Sequence, residues 1–382
     1  MWIAERGLWR SDELEIGDAF QSAIFCIQSK RNMTMAPNFL NPFVPARINT
    51  GPWVGGYSLA ALKTRIGAGR VVLPICSLGT APEELARLGP WVLPPLYHEA
   101  LDTDLRRDLV AQIRRCFPFY EGSQARAKFR GTLEVVELPP RRPPSDEIGA
   151  EVLAFGVDTT VEQHGPHLPL ATDTIQTYAV LRQLATEFDG LVVGTALEHG
   201  HLTWGLPFGL SIDLTPPLLT RYCLGFVNAL MDCYQPKAIF VADVHGSIVH
   251  RESVQAALRQ SRCQRWAFRW LYEPLTDFCA QRGDMHAGGV ETTLVAQINR
   301  ELVDAEQWPR REAELVAGQM TLNEAVELSA DLPKFVREVE TRGCNGIVGD
   351  LRNRVEGPVL FARMMEVARA DVRGLLDGWI EP

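Results

Sequence analysis

The chain has 382 residues, 46% of them hydrophobic and 22% charged, with a formal net charge of −9. This is an ordinary globular composition, long enough for two domains. The acidic balance speaks against a nucleic-acid partner, which needs a basic surface, and no apolar stretch approaches the ~18 residues of a membrane span. The eight cysteines are scattered without a C-x-x-C pair, and Met1-Trp2-Ile3-Ala4-Glu5-Arg6 lacks the pattern of a signal peptide. Reduced core thiols and a cytoplasmic location are therefore expected.

Residues 1 to about 50 show no sustained period, and the stretch from Ala36 to Trp53, with its prolines, asparagines and glycines, reads as irregular surface structure. Leu59, Leu62 and Ile66 then suggest a short helix. Arg70 to Cys76 reads as a strand, Trp91-Val92-Leu93 as a second, and Asp104 to Cys116 as an amphipathic helix. Together these make a smaller N-terminal α/β unit over residues 1–138, read as a cap, an oligomerisation element or a decayed repeat of the later α/β region. The prolines of Pro139-Pro140-Arg141-Arg142-Pro143-Pro144 fix an extended backbone. They place a linker at 139–147 and a second domain at 148–382.

The second domain opens with Glu151 to Val157, a short apolar run that reads as a buried strand. Directly after it comes Glu162-Gln163-His164-Gly165-Pro166-His167-Leu168-Pro169-Leu170-Ala171-Thr172-Asp173. Its glycine and prolines break any helix, so the chain turns and can aim Glu162, His164 and Asp173 at one point beyond the strand end. Carboxylates with imidazoles suit zinc or manganese, although a loop of solvated or capping polar groups reads the same way.

A helix from Thr174 to Phe188, a strand at Leu191-Val192-Val193, a helix from Leu218 to Met231 and a strand from Lys237 continue the alternation of a mainly parallel sheet. The loop from Leu197 to Pro207 reads as a pocket wall. Its His199 and His201 are read first as hydrogen-bonding groups and second as ligands. His245 follows the strand at 237–244, on the same sheet edge as Glu162. Glu291 falls in the first turn of a helix running to Ile298, where simple helix-end stabilisation is the alternative to metal ligation, and His286 stands just before it.

With these motifs in order, the chain resembles the creatininase family of metal-dependent amidohydrolases over residues 148–382. The matching residues are Glu162 to Pro169 with Thr172-Asp173, the glycine-flanked His245, His286-Ala287-Gly288 with Glu291-Thr292, and Gly346 to Asp350 with Glu356-Gly357. The resemblance implies a three-layer α/β/α domain holding two divalent ions, zinc or manganese with iron as a third option. Glu162 and His245 would hold one ion, His164 and Glu291 the other, and Asp173 would bridge them. His286 would be the catalytic proton carrier. The implied reaction is attack by a hydroxide held between the ions on a non-peptide C–N bond of a small metabolite, such as a cyclic amide or formamide. The alternatives are a peptidase trimming a modified peptide and an inactive metal-binding scaffold. Homo-oligomers, hexamers or dimers, are expected from the resemblance. Ser247 stands where creatininases proper carry a glutamate, so creatinine itself is not the expected substrate, and the loop 198–211 departs from the family pattern as a rebuilt pocket would.

Overall fold

The computed structural model describes residues 54–58, 62, 66, 69–141, 150–202, 205–304, 318–351 and 355–378. The irregular N-terminal segment, most of the helix read around Leu59 to Ile66, and residues 142–149 of the proline-rich stretch lie outside them. Two parallel sheets organise the rest. The larger contains β4 (Val152–Gly156), β5 (Leu191–Val193), β6 (Ala238–Asp243) and β7 (Trp266–Trp270) in the order β5-β4-β6-β7, and the smaller contains β1 (Arg70–Cys76), β2 (Leu96–Tyr97) and β3 (Thr132–Glu137) in the order β2-β1-β3.

The central strands β4 and β6 are buried along their whole length, and helices cover both faces of such a sheet. Among the described residues the helices of seven residues or more are α1 (Thr103–Cys116), α2 (Thr172–Glu187), α3 (Pro216–Tyr234), α4 (Ile248–Gln260), α5 (Thr276–Arg282), α6 (Gly289–Ile298), α7 (Leu322–Ser329), α8 (Leu332–Arg342) and α9 (Gly357–Leu376). Helices α2, α6 and α9 pack together on one face. Side chains of β4 alternate between the faces, as strand geometry requires. Gly156 faces α2, where an added Cβ would meet Tyr178 at 2.8 Å, and the Tyr178 hydroxyl donates to the Gly194 carbonyl at 2.9 Å. Leu153 and Phe155 point the other way, into the main core.

That core is shared by both sheets. It joins Val71, Leu73 and Ile75 of β1 and Leu105, Leu109 and Ile113 of α1 to Leu153, Phe155, Ile239 and Val241 of the larger sheet. Helix α3 lies between them. Its Phe226 ring meets Tyr97 of β2 at 5.6 Å and Phe155 of β4 at 5.4 Å. The segment 54–58 ties the same regions through its backbone, since the Val54 N–H donates to Val92 and the Gly55 and Tyr57 carbonyls accept from Ala171 and Leu170, each at 3.0 Å.

The strand read at Trp91-Val92-Leu93 is a correction. Val92 makes only an isolated bridge to Val72, and the strand paired with β1 is Leu96–Tyr97. Pro94 and Pro95 separate the two, and neither has an N–H to give a ladder.

Phe226 is fully buried and its ring meets a residue of each sheet. Phe226→Ala is expected to cost about 3–5 kcal/mol, seen as a lowered midpoint in urea unfolding.

Candidate metal centre and active-site cavity

In the order β5-β4-β6-β7 the chain leaves β4 for one side and returns to its other side, so the strand order reverses between β4 and β6. Open parallel sheets bind ligands at such a point, beyond the carboxyl ends of the strands. Glu162 and His164 follow β4, Asp173 stands in the first turn of α2, and His245 follows β6. Glu291 lies in the first turn of α6. All five sequence-predicted ligand residues, and His286, are buried and come together here.

The two oxygens of Asp173 face different imidazoles. Its Oδ2 lies 3.1 Å from His245 Nδ1 and its Oδ1 lies 3.2 Å from His164 Nε2. Glu162 Oε2 is 3.0 Å from His245 Nδ1, and Glu291 Oε2 is 4.0 Å from His164 Nε2. Two trios bring candidate ligand atoms within 4.8 Å of one another: Glu162, His164 and Asp173, and His164, His286 and Glu291. The second trio puts His286 among the ligand candidates as well as beside the chemistry.

The other ring nitrogens are fixed by backbone carbonyls. His245 Nε2 donates to His201 at 2.9 Å, His164 Nδ1 to Glu162 at 3.1 Å, and His286 Nε2 to Gln163 at 2.7 Å. This is how ligating histidines are held, one nitrogen locked and one presented. His286 is further pinned by a two-way backbone pairing with Val348, at 2.9 and 2.8 Å. Gly346 permits this approach, because a Cβ there would lie 1.7 Å from Gln163 Oε1.

The charges are severe. Burial works against the ions, yet the imidazoliums of His164 and His245 hold Asp173 well below the usual carboxylate range. Burial likewise opposes the charge of His164, but Asp173 and then Glu291 raise its pKa to about 10. His245 is raised well above its ordinary value by Glu162 and Asp173, again against burial. Glu291 is pushed up to about 8 by burial, and His286 down to about 4 by burial and then by the charge of His164.

Beneath the cluster lie two more acids. The Asp158 carboxylate accepts from the Val244 N–H at 3.1 Å and Thr177 at 2.8 Å, and Asp243 accepts from the His245 N–H at 2.8 Å. Thr159 Oγ1 donates into the cluster, to Glu162 and, at 3.2 Å, to Asp173. Sequence reasoning passed over Asp158, Thr159 and Asp243, although the first two stand between the predicted strand and Glu162. His199 and His201 are outside the cluster: His199 Nε2 meets the Pro94 carbonyl at 3.1 Å, and His201 Nδ1 lies 3.0 Å from both the Leu214 carbonyl and Asp213.

A cavity of about 450 Å³ opens over the cluster. Glu162, Asp173, His245, His286 and Glu291 form its floor, and Trp270, Tyr272, Val290 and Met285 are among its walls.

A divalent-metal centre fits these residues. The buried His164 Nε2 lies 3.2 Å from Asp173 Oδ1 without the alignment of a hydrogen bond, it faces carboxylates, and the set of oxygen and imidazole donors is that of zinc or manganese. The family profile "Creatininase: Creatinine amidohydrolase" matches residues 152–366, more than half of the chain. The protein belongs to the creatininase family, a class of metal-dependent hydrolases. Among its relatives, the mycofactocin precursor peptide peptidase of Mycobacterium ulcerans (strain Agy99) is 28% identical over 219 residues, covering 54% of this chain and 79% of that protein. The peptidase of the same name from Mycobacterium tuberculosis (strain ATCC 25618 / H37Rv) is 26% identical over 159 residues, covering 39% of this chain and 59% of its own length. A solved creatinine amidohydrolase aligns with a TM-score of 0.43 at 17% identity, over 59% of this chain and 90% of that one.

At pH 7 the metal-free protein carries His164 protonated, because its pKa lies at about 10. Ligation requires neutral imidazoles at His164 and His245 and an ionised Glu291, each of which holds a proton in the metal-free cluster, so adding Zn²⁺ to metal-free protein is expected to release on the order of two to three protons per chain. An indicator dye in weakly buffered solution reads this directly, and no release would contradict the ion-paired cluster.

Proposed function

We propose that the protein is a binuclear metal amidohydrolase that cleaves an amide C–N bond at the end of a peptide. The observation carrying the metal reading is Asp173, whose two oxygens face His164 and His245 separately, the posture of a bridging carboxylate. Glu162 and His245 would hold one ion, and His164 and Glu291 the other. Bound there, two divalent ions supply an acidified water and polarise the scissile carbonyl.

The chain's own groups do the rest. His286 is neutral at pH 7, with its Nε2 proton committed to Gln163, so its Nδ1 is the nitrogen left to take a proton. In hydrolysis the water's hydroxyl goes to the carbonyl carbon and its proton to the departing nitrogen, and His286 is the carrier between them. Thr159 orients Glu162 and Asp173. Trp270, Tyr272 and Val290 wall the cavity beside the floor, and a bound substrate against them would displace water from the reacting bond.

The choice of a peptide over a small cyclic amide or formamide rests on two supports. The relatives above are named as precursor peptide peptidases. Ile248, Val249 and Met285 also stand exposed at the cavity, an apolar rim suited to a side chain rather than to a compact polar ring.

Elemental analysis of purified protein is expected to find about two metals per chain, falling toward zero in Asp173→Ala. His286→Ala is expected to keep both metals and lose roughly 10²–10⁴-fold in turnover of a peptide substrate. Loss of one metal in His286→Ala would make that residue a ligand instead, and metal binding without turnover of any peptide, cyclic amide or formamide would mark an inert scaffold.

A further inference from the structure

Among the described residues the larger sheet ends in a strand paired on one side only, β7 against β6. The Arg265 carbonyl accepts from Ile239 at 2.9 Å, and the Leu271 N–H donates to Asp243 at 2.7 Å. In a parallel ladder each residue turns its N–H and C=O to the same side and alternate residues turn opposite ways. Residues 265, 267, 269 and 271 therefore face β6. Trp266, Phe268 and Trp270 present their backbone groups outward, and no backbone group of the described residues meets them. None of these three residues is fully buried.

This edge runs into the active-site cavity. Trp270, the last residue of β7, is a cavity wall, and Tyr272 follows it. The same opening carries Ile248, Val249 and Met285, which are 63%, 40% and 38% exposed and make up three of the five large exposed apolar residues among those described. An extended chain added along β7 would thus find main-chain partners first and an apolar seat where the edge ends.

We propose that the free edge of β7 binds the substrate: an extended peptide adds to it as a fifth strand, and one terminus, bearing an apolar residue, passes Trp270 to the cavity floor. This rests on the peptide reading given above. Main-chain bonding would tolerate varied sequences, and the seat formed by Ile248, Val249 and Met285 would select the terminal residue. A second copy of this chain could also cover an open edge. The continuity of the edge with the cavity favours a substrate strand, because a copy paired there would obstruct the opening.

The test uses the metal-loaded full chain and a mixture of random-sequence decapeptides, with products identified by mass spectrometry. The best-cleaved peptide is then N-methylated one amide at a time. Strand addition expects every second methylation to raise KM by roughly tenfold, the loss of about one hydrogen bond, with the methylations between them tolerated. Phe268→Pro is expected to raise KM similarly, because the N–H it removes faces away from β6, the setting in which an edge strand accepts proline. A methylation profile without a two-residue period overturns the proposal even if the variant fails to fold. An unchanged KM in folded Phe268→Pro overturns it too, and a drop in oligomeric mass alongside would assign the edge to a subunit contact. Hydrolysis of cyclic amides or formamides with no peptide cleaved would instead sink the peptide reading itself.

Discussion

Three carboxyl groups buried in one cluster set the terms for the rest of this structure. Glu162, Asp173 and Glu291 are each less than a tenth exposed. Burial pushes Glu291 toward its neutral form, while Glu162 and Asp173 stay ionised, and taking an ion out of water costs several kcal/mol unless opposite charge is close and well placed. Without metal, His164 and His245 meet that cost by holding protons. In the proposed metal-bound state the same imidazoles would be ligands and the ions would supply the positive charge, a role for which Asp173 is already placed, with one oxygen toward each imidazole.

Holding that geometry requires a rigid surround, which comes from parts of the chain far apart in sequence. The N-terminus of α2 presents Asp173 where the helix dipole favours a negative charge. Asp158 and Asp243 fix the backbone on which His245 stands. Val348 pairs with His286, and Gln163 reaches the Asn345 carbonyl at 2.6 Å, so the C-terminal segment closes one side of the site. A cluster this charged tolerates little movement, since displacement of one partner would leave another ion buried and alone.

Much of this was legible in the sequence where local chemistry is dense. The apolar run ending at Val157 and the turn residues after it were enough to single out Glu162, His164 and Asp173, the family resemblance added His245 and Glu291 as ligands, and the structure brings all five together. Strands β3 and β7 were not legible, because Glu134 interrupts the first and Arg269 the second, breaking the apolar run by which strands are recognised. Both residues form ion pairs at the sheet margins, Glu134 with Arg70 and Arg269 with Asp371 at 2.6 Å. Asp158 was passed over because its role is a hydrogen bond to the Val244 N–H, just past the neighbouring strand β6, which has no local sequence signature, and Asp243, which caps the His245 N–H two residues on, was absorbed into the apolar strand that it ends. The strand placed at Trp91 failed for a local reason, the proline pair after Leu93.

The smaller sheet gains a physical role from the same contacts. It contributes none of the clustered acids or imidazoles, yet its neighbourhood supplies backbone acceptors to the loops that carry them. Gly55 and Tyr57 receive Ala171 and Leu170 just before Asp173, and Pro94 receives His199. Phe226 packs the two sheets into one core at the same level. Burying the site loop against a second sheet, rather than leaving it to solvent, raises the free energy needed to open it locally. The loop from Glu162 to Asp173 has few long apolar side chains of its own, so its order depends on this borrowed packing and on main-chain bonds from outside the matched family region.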